Sequence, residues 1–150
     1  MIDSQTANHK SQIALLAFAV LSFGLLINSC SGKDAKYQQY FAQGQVLYEK
    51  NCSNCHQKNG KGLGLVYPPL ASSDYLEKNF NASLCLMKHG IRGEITVNGK
   101  NFNKPMPGVP SLTELEIAEI TTYISNSWGQ QNGIVEISKV TSALQECLAQ

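Results

Sequence analysis

Apolar and aromatic residues recur at helical spacing in the first half of the chain. Between residues 35 and 50 these residues, with one glycine among them, lie at positions i, i+1, i+4, i+7 and i+8: Tyr40, Phe41, Gly44, Leu47 and Tyr48. This spacing predicts an amphipathic helix with one buried face. A glycine within that face costs up to ~1 kcal/mol of helix propensity. The cost is tolerable where another backbone or a large side chain must come close.

Two more helices are predicted near the end of the chain. Residues 113–127 begin with Thr113, and Glu116 three positions later completes a capping box. Leu112 and Ile117 are placed to form a hydrophobic staple beside it. The buried stripe of this helix is Ile117, Ile120, Tyr123 and Ile124. Residues 137–148 repeat the helical spacing with Val140, Leu144, Cys147 and Leu148.

The segment between the first predicted helix and these two C-terminal helices has little periodicity. Residues 59–64 (NGKGLG) predict a turn-rich loop. Asn81 is a candidate cap for a short helix that ends near Gly90, and residues 94–97 (EITV) predict a short β segment. One such segment is too little to build a sheet, so the predicted fold class is mostly α.

The front of the chain has the pattern of an export signal. Residues 13–27 carry no charge, and these fifteen residues would span roughly 22 Å as a helix, short of the ~30 Å hydrocarbon core of a bilayer. A polar leader with Lys10, a short apolar run and a small-residue exit are typical of a secretory signal peptide.

The exit of that segment, Ile27-Asn28-Ser29-Cys30, resembles a bacterial lipoprotein lipobox. The resemblance implies cleavage before Cys30 and a lipid on its sulfur; an uncleaved N-terminal anchor is the alternative. Both place the folded domain outside the cytoplasm, on a membrane surface. We therefore expect a signal peptide at 1–29, a tether at 30–36, one domain at 37–150, and a location on the periplasmic side of the cell envelope, membrane-anchored through Cys30.

Composition narrows the class of protein further. The 150 residues are 43% hydrophobic and 15% charged, which permits a packed core and excludes a charged disordered chain. The formal net charge is +1, and this balance provides no electrostatic footprint for nucleic acid.

The strongest chemical signal is Cys52-Ser53-Asn54-Cys55-His56. A C-x-x-C-H run is the covalent attachment motif of c-type haem. Two thiols three residues apart reach both vinyl groups of one porphyrin, and the following imidazole is placed under the iron. The sequence therefore predicts one haem c, attached through Cys52 and Cys55 with His56 as a metal ligand.

These cysteines have three alternative uses. A structural zinc site usually needs two such pairs, and the remaining candidate ligands Cys85, His89 and Cys147 are widely spaced. A thioredoxin-like dithiol needs a βαβ context, which does not precede the motif. The third alternative is a simple disulfide loop.

A second axial ligand is predicted at Met106. It lies among Pro105, Pro107 and Pro110, which forbid helix and strand interior, so core periodicity does not explain it. A thioether is a soft ligand suited to haem iron. Met87 lies in a helical pattern and is expected to line the core or the pocket. His89 at a helix end is the alternative ligand.

With these motifs in place, residues 36–128 resemble the class I c-type cytochromes. The order of features is that of the family: an aromatic-bearing helix, C-x-x-C-H, a Gly-rich loop, Pro-x-Leu, a middle helix, a methionine loop and a final helix with a tyrosine. The resemblance implies the cytochrome c fold, with three core helices wrapped around one haem and, in this chain, an extra C-terminal helix.

The resemblance also implies roles for individual residues. The carbonyl of Pro68 would accept a hydrogen bond from the His56 imidazole and fix its tautomer. Leu70 would touch the porphyrin. Gly44 would let the first helix cross the helix that bears Tyr123.

Two features depart from the family pattern. The chain continues for some twenty residues past Trp128, and Cys85 and Cys147 have no family counterpart. In an oxidising compartment these cysteines either form an 85–147 disulfide, which would pin the last helix to the middle one, or are buried as small apolar residues.

The function implied is that of a one-electron carrier, not an enzyme, in a membrane-associated redox chain. A site closed by two axial ligands leaves no position for substrate, and redox protein partners are expected to bind transiently over a small patch. The alternative is an electron-input haem subunit of a larger dehydrogenase, nitrite reductase or oxidase. A third interpretation, that the protein is an enzyme or a gas sensor, requires an iron with a vacant coordination position.

Overall fold

The computed structural model describes residues 32–148. The expected signal peptide at 1–29 and the expected lipid-bearing Cys30 lie outside the described residues. The chain divides between Lys36 and Tyr37 into two units, and every contact described below lies in the second. No helix within residues 32–148 has both the length and the apolar character needed to cross a membrane.

Helices dominate the architecture, as predicted. In chain order they are α1 (Gly32–Asn51), α2 (Ser53–His56), α3 (Asp74–Lys78), α4 (Phe80–His89), α5 (Glu114–Ser125) and α6 (Ile137–Leu148). The strands are β1 (Gly90–Ile91), β2 (Ile95–Val97), β3 (Lys100–Phe102) and β4 (Met106–Pro107). They form two antiparallel pairs, β1 with β4 and β2 with β3. The predicted β segment at 94–97 is thus one arm of a hairpin.

The first helix buries the face that its sequence pattern predicts. Tyr40, Gly44 and Tyr48 are its buried residues. A Cβ on Gly44 would lie 2.0 Å from the carbonyl oxygen of Glu119 and 2.9 Å from Cβ of Tyr123. The predicted crossing of α1 over α5 is therefore confirmed, because only a glycine permits this approach. The helix begins at Gly32 rather than at residue 35, so the described part of the expected tether is helical.

The capping box of α5 is present as predicted. The Thr113 hydroxyl accepts from the Glu116 amide, while the Glu116 carboxylate accepts from the Thr113 amide. Leu112 and Ile117 are both buried in the core. The buried core residues come mainly from α1, α5 and α6: Tyr40, Tyr48, Leu84, Leu112, Ile117, Ala118, Ile120, Tyr123, Ile124, Val135, Val140 and Ala143.

The cap predicted for the middle helix was wrong. Helix α4 starts at Phe80 with Asn79 as its N-cap residue, and the Asn79 side chain makes no cap hydrogen bond. Asn81 lies inside the helix, where its amide donates to a Glu146 carboxylate oxygen at 3.3 Å. The short helix α3, capped by Ser73, was not predicted because five residues are too few to display a helical period.

The segment after Trp128 packs back onto the rest of the domain. The Val135 amide donates to the Thr122 hydroxyl at 2.9 Å, and Asn126 makes two hydrogen bonds with the backbone of Gly133. Val140 and Ala143 of α6 are fully buried. A disulfide joins Cys85 of α4 to Cys147 of α6, so of the two alternatives for these cysteines the bridge is present.

Candidate functional site

The C-x-x-C-H motif is wound into one helical turn directly after α1. The amides of Cys55 and His56 donate to the carbonyl oxygen of Cys52 at 3.2 and 3.0 Å. Both thiols are free and half-buried. The turn therefore brings together Cys52 at the N-cap of α2 and Cys55 and His56 within α2.

His56 is buried and its ring is oriented by a backbone carbonyl. Its Nδ1 lies 3.0 Å from the carbonyl oxygen of Pro68. Because a carbonyl oxygen only accepts, Nδ1 carries the proton and Nε2 is left with a lone pair. Burial lowers the pKa of His56, and the bond to Pro68 opposes this only in part. The lowered pKa of His56 favours the neutral imidazole, which is the state that ligates metal.

The glycine-rich loop positions the Pro68 carbonyl. A Cβ on Gly62 would lie 2.2 Å from the carbonyl oxygen of Tyr67 and 2.6 Å from that of Pro68, and Gly62 has φ +66°. The Gly60 carbonyl accepts from the amides of Leu70 and Ala71 at 2.7 and 2.9 Å. Close backbone packing at these glycines holds the segment after the loop against α2.

Met106 reaches the site from a distant part of the chain. It lies in strand β4, where it pairs with Ile91. The prolines were expected to exclude a helix and a strand interior and to leave Met106 in an irregular loop. Met106 lies instead in a strand of only two residues, which has no interior and needs few hydrogen-bond donors. The Val109 amide also donates to the carbonyl of Met87 at 2.9 Å, so the methionine strand is fastened to the end of α4.

His56 and Met106 line the same empty space. Three cavities each include both residues in their walls. Cys52 lines two of these cavities and Cys55 lines two, with one cavity in common. The four residues predicted to hold and ligate a haem are thus brought together around one divided cleft.

The cleft also includes the two residues assigned by resemblance, Pro68 and Leu70. Met87 lines it as expected. His89, the alternative ligand, is exposed and lines a groove beside Met106, but it does not line the three cavities that His56 and Met106 share. Wall residues that were not predicted include Tyr75, Leu76, Leu86, Ile95, Val97 and Ile124. They converge only in three dimensions, although the apolar alternation of the 94–97 segment was a usable signal for Ile95 and Val97.

The surroundings of the cysteines differ from those of a reactive dithiol. Burial, with a smaller contribution from Cys55, raises the pKa of the Cys52 thiol to about 11, whereas redox-active thiols have lowered pKa values. Within residues 32–148, no three His, Cys, Asp or Glu side chains converge into a group that could hold a metal ion.

The donor set and the walls of the cleft fit a haem. One thiol comes from Cys52 at the N-cap of α2, the second thiol and the imidazole come from Cys55 and His56 within α2, and a thioether comes from β4. The remaining walls are mostly aliphatic and aromatic, which suits a large apolar macrocycle. No buried side-chain nitrogen or oxygen in the described part of the chain lacks a hydrogen-bond partner.

Comparison with known proteins gives the family. Residues 41–128 match the family described as "Cytochrome c". "Cytochrome c-552" of Thermus thermophilus is 33% identical over 92 residues, which cover 59% of this chain and 70% of that protein. "Alcohol dehydrogenase (quinone), cytochrome c subunit" of Gluconacetobacter polyoxogenes is 32% identical over 102 residues, 65% of this chain but 21% of that protein. The chain belongs to the cytochrome c family, as a small class I c-type cytochrome with a mostly α fold and the function of a haem electron carrier.

Proposed function

We propose that this chain binds one haem c through thioether bonds from Cys52 and Cys55, with His56 and Met106 as the axial ligands. The observation that carries the proposal is the cleft that these four residues share. The bound haem would supply a one-electron Fe(III)/Fe(II) couple.

The residues around the cleft favour electron transfer over the making or breaking of covalent bonds in a substrate. His56 presents Nε2 in a fixed ring orientation, because Nδ1–H is held by Pro68. Met106 is fixed in a strand pair rather than in a mobile lid. With His56 and Met106 both holding the iron, a bound haem would have no ligand position left for a substrate, so we propose that the chain is a carrier and not an enzyme.

We propose the glycine-rich loop (residues 59–64), together with the residues that follow it up to Tyr67, as the docking area for redox partners. Leu63, Leu65 and Val66 are 53%, 67% and 46% exposed, although hydrogen bonds between Leu63 and Tyr67 hold the loop in a fixed shape. Clustered exposed apolar side chains on an ordered loop are typical of an interaction surface. Tyr67, at the end of this loop, lines the cleft together with Cys55, so a partner docked here would approach the attachment side of the haem.

Docking can be tested on a surface of defined chemistry. A gold electrode coated with methyl- and carboxylate-terminated alkanethiols offers apolar groups together with negative charge for Lys61. We expect Leu65→Gln/Val66→Thr to lower the interfacial electron-transfer rate about tenfold. Leu115→Gln, which changes a leucine that is 41% exposed on α5, is the matched control. Equal rates for both variants would contradict this placement.

We propose that the protein is exported and held at a membrane by a lipid on Cys30. Two observations support export: the apolar segment at residues 13–27 with its lipobox-like exit, and the 85–147 disulfide, since stable disulfides form in oxidising compartments. An anchor would confine partner encounters to the membrane plane and raise their local concentration. Labelling growing cells with palmitate tests the anchor, with Cys30→Ser as the control that should lose the label.

A second candidate role is that of an electron-input subunit in a larger dehydrogenase. The similarity to cytochrome c subunits of quinone alcohol dehydrogenases favours it. Purification without detergent exchange separates the two roles, because a fixed subunit copurifies with a stoichiometric partner and a free carrier does not.

The carrier function itself is tested by spectroelectrochemistry of the purified protein. We expect a reversible titration with the slope of a one-electron couple, and a ferrous spectrum that carbon monoxide leaves unchanged. Rapid binding of carbon monoxide would instead indicate an open iron and a sensor or enzyme.

A further inference from the structure

The segment after Trp128 lies beyond the residues that match the family, yet it is tied to the methionine side of the cleft. We propose that this segment, residues 129–148, is a brace that holds Met106 in its ligating position by way of α4. Cys85 and Cys147 are then positioning residues for the axial ligand. The inference rests on the proposed ligation of iron by Met106.

The first link joins α6 to α4. The disulfide fixes Cys147 to Cys85 with the two Cα atoms 6.1 Å apart. At the start of α4, the Lys139 ammonium lies 4.1 Å from the centre of the Phe80 ring, and Glu146 accepts from the Asn81 amide. Helix α4 is therefore held by α6 near its beginning and at its middle.

The second link joins α4 to the methionine strand. Strand β1 follows α4 without a break, and its residues Gly90 and Ile91 pair with Pro107 and Met106. A Cβ on Gly108 would lie 2.5 Å from the carbonyl carbon of His89 and 2.6 Å from the amide nitrogen of Gly90. The two backbone segments are packed too closely to move independently, so a shift of the end of α4 must shift Met106 as well.

Helix α4 needs an external support to act in this way. It has only ten residues, and its N-cap side chain makes no hydrogen bond. Isolated helices of this length are marginal in water, and tertiary packing supplies most of their stability. The disulfide and the α6 contacts provide that packing on the side of α4 nearest the C-terminal segment. Without them, we expect β1 and β4 to open more often and Met106 to leave the iron more readily.

Exogenous imidazole measures this opening, since it takes the sixth position only when the methionine has left. In the haem-loaded ferric protein, we expect Cys85→Ser/Cys147→Ser to bind imidazole about tenfold more tightly, because apparent affinity scales with the population of the open state. We also expect faster hydrogen exchange at the Ile91 and Val109 amides, a readout that does not depend on electron transfer.

The control separates a specific brace from general stability. Phe41→Leu alters a ring that packs on Tyr123 with centroids 5.2 Å apart, a contact that is not one of those described above between α6 and α4 or between α4 and the methionine strand. It is expected to lower the free energy of unfolding while changing imidazole affinity by less than about twofold. Should the double serine variant not fold, wild-type protein reduced with dithiothreitol, alkylated and returned to the ferric state replaces it.

The outcomes distinguish the brace from the proposed ligation. Unchanged imidazole affinity after loss of the disulfide, with the sulfur-to-iron charge-transfer band intact in the wild type, would overturn the brace alone. A wild-type protein without that band would overturn Met106 ligation and the brace with it. Tighter imidazole binding in the disulfide-free protein, but not in Phe41→Leu, would support the brace.

Discussion

Gly62 packs so closely against Pro68 that a methyl group on the Gly62 Cα would lie 2.6 Å from the carbonyl oxygen of Pro68. That oxygen is the acceptor for Nδ1 of His56. A glycine six residues beyond the motif histidine thus sets the position of the atom that orients the histidine ring.

The first prediction concerns this contact. Gly62→Ala introduces a clash with the backbone at Tyr67 and Pro68 in addition to the strain of a positive φ, and we expect it to lower the free energy of unfolding by about 3 kcal/mol. The His56 Nδ1 proton should exchange faster with solvent. Denaturant unfolding and NMR of the haem-loaded protein measure the two effects.

Gly64→Ala is the matched control for that substitution. Gly64 has φ +55°, close to that of Gly62, but nothing lies within 4 Å of an added Cβ. We expect a loss of only about 1 kcal/mol from backbone strain and no change at His56. Equal effects of the two alanines would mean that the contact with Pro68 is unimportant.

The second prediction tests the crossing of α1 and α5. Gly44→Ala places a methyl group against the Glu119 carbonyl, and helix backbones cannot move aside as flexible side chains do. We expect a loss of about 1–3 kcal/mol in unfolding free energy despite the better helix propensity of alanine. Gln43→Ala, at an exposed position of the same helix, should remain within about 0.5 kcal/mol of the wild type.

The third prediction distinguishes the two methionines of the cleft. Met106→Ala should abolish the near-infrared sulfur-to-iron band, lower the reduction potential and let the ferrous protein bind carbon monoxide. Met87→Leu should keep the band, because Met87 contacts Thr121 and is assigned here to the wall. Loss of the band in the Met87 variant, with retention in the Met106 variant, would reverse the assignment.

The fourth prediction is a dependence of stability on pH at the capping box. The pKa of Glu116 is lowered, first by the hydrogen bond from the Thr113 amide and then by the Thr113 hydroxyl. A carboxyl group with a lowered folded-state pKa stabilises the protein above its unfolded-state pKa, and this contribution is lost as the pH falls through the folded-state value.

Thr113→Ala removes the hydroxyl partner and should cost about 1 kcal/mol at neutral pH. The difference from the wild type should shrink in acid, once Glu116 is protonated in both proteins. Unfolding curves for the two proteins from neutral to acidic pH measure the difference in their free energies of unfolding. A difference that is constant with pH would show that the Glu116 carboxylate takes no part.

The parts of the fold that could be predicted are those with local signals. The α5 capping box needs only Thr113 and Glu116, and the buried face of α1 follows from its own periodicity. Strand β4 could not be predicted, because Met106 becomes a strand residue only by pairing with Ile91, fifteen positions earlier. Likewise Asn79 precedes α4 without a capping bond, so no side-chain signal distinguishes it from Asn81.

In the candidate site, too, the residues with a local signal could be predicted and those brought together by tertiary packing could not. The spacing of Cys52, Cys55 and His56 is dictated by covalent chemistry and can be read directly. The apolar walls from α4, β2 and α5 come together only through tertiary packing. The disulfide was one of two open alternatives, since sequence supplies the spare cysteines but not the 6.1 Å separation of their Cα atoms.

The most direct test of the account is the mass of the polypeptide after maturation. The chain is produced in a host that attaches c-type haem, then denatured, extracted with acid and weighed, and its peptides are mapped. We predict a mass greater than that of the processed polypeptide by one haem, with the adduct on the peptide that contains Cys52 and Cys55. A polypeptide that has only its bare mass would contradict covalent haem attachment and the electron carrier proposed from it.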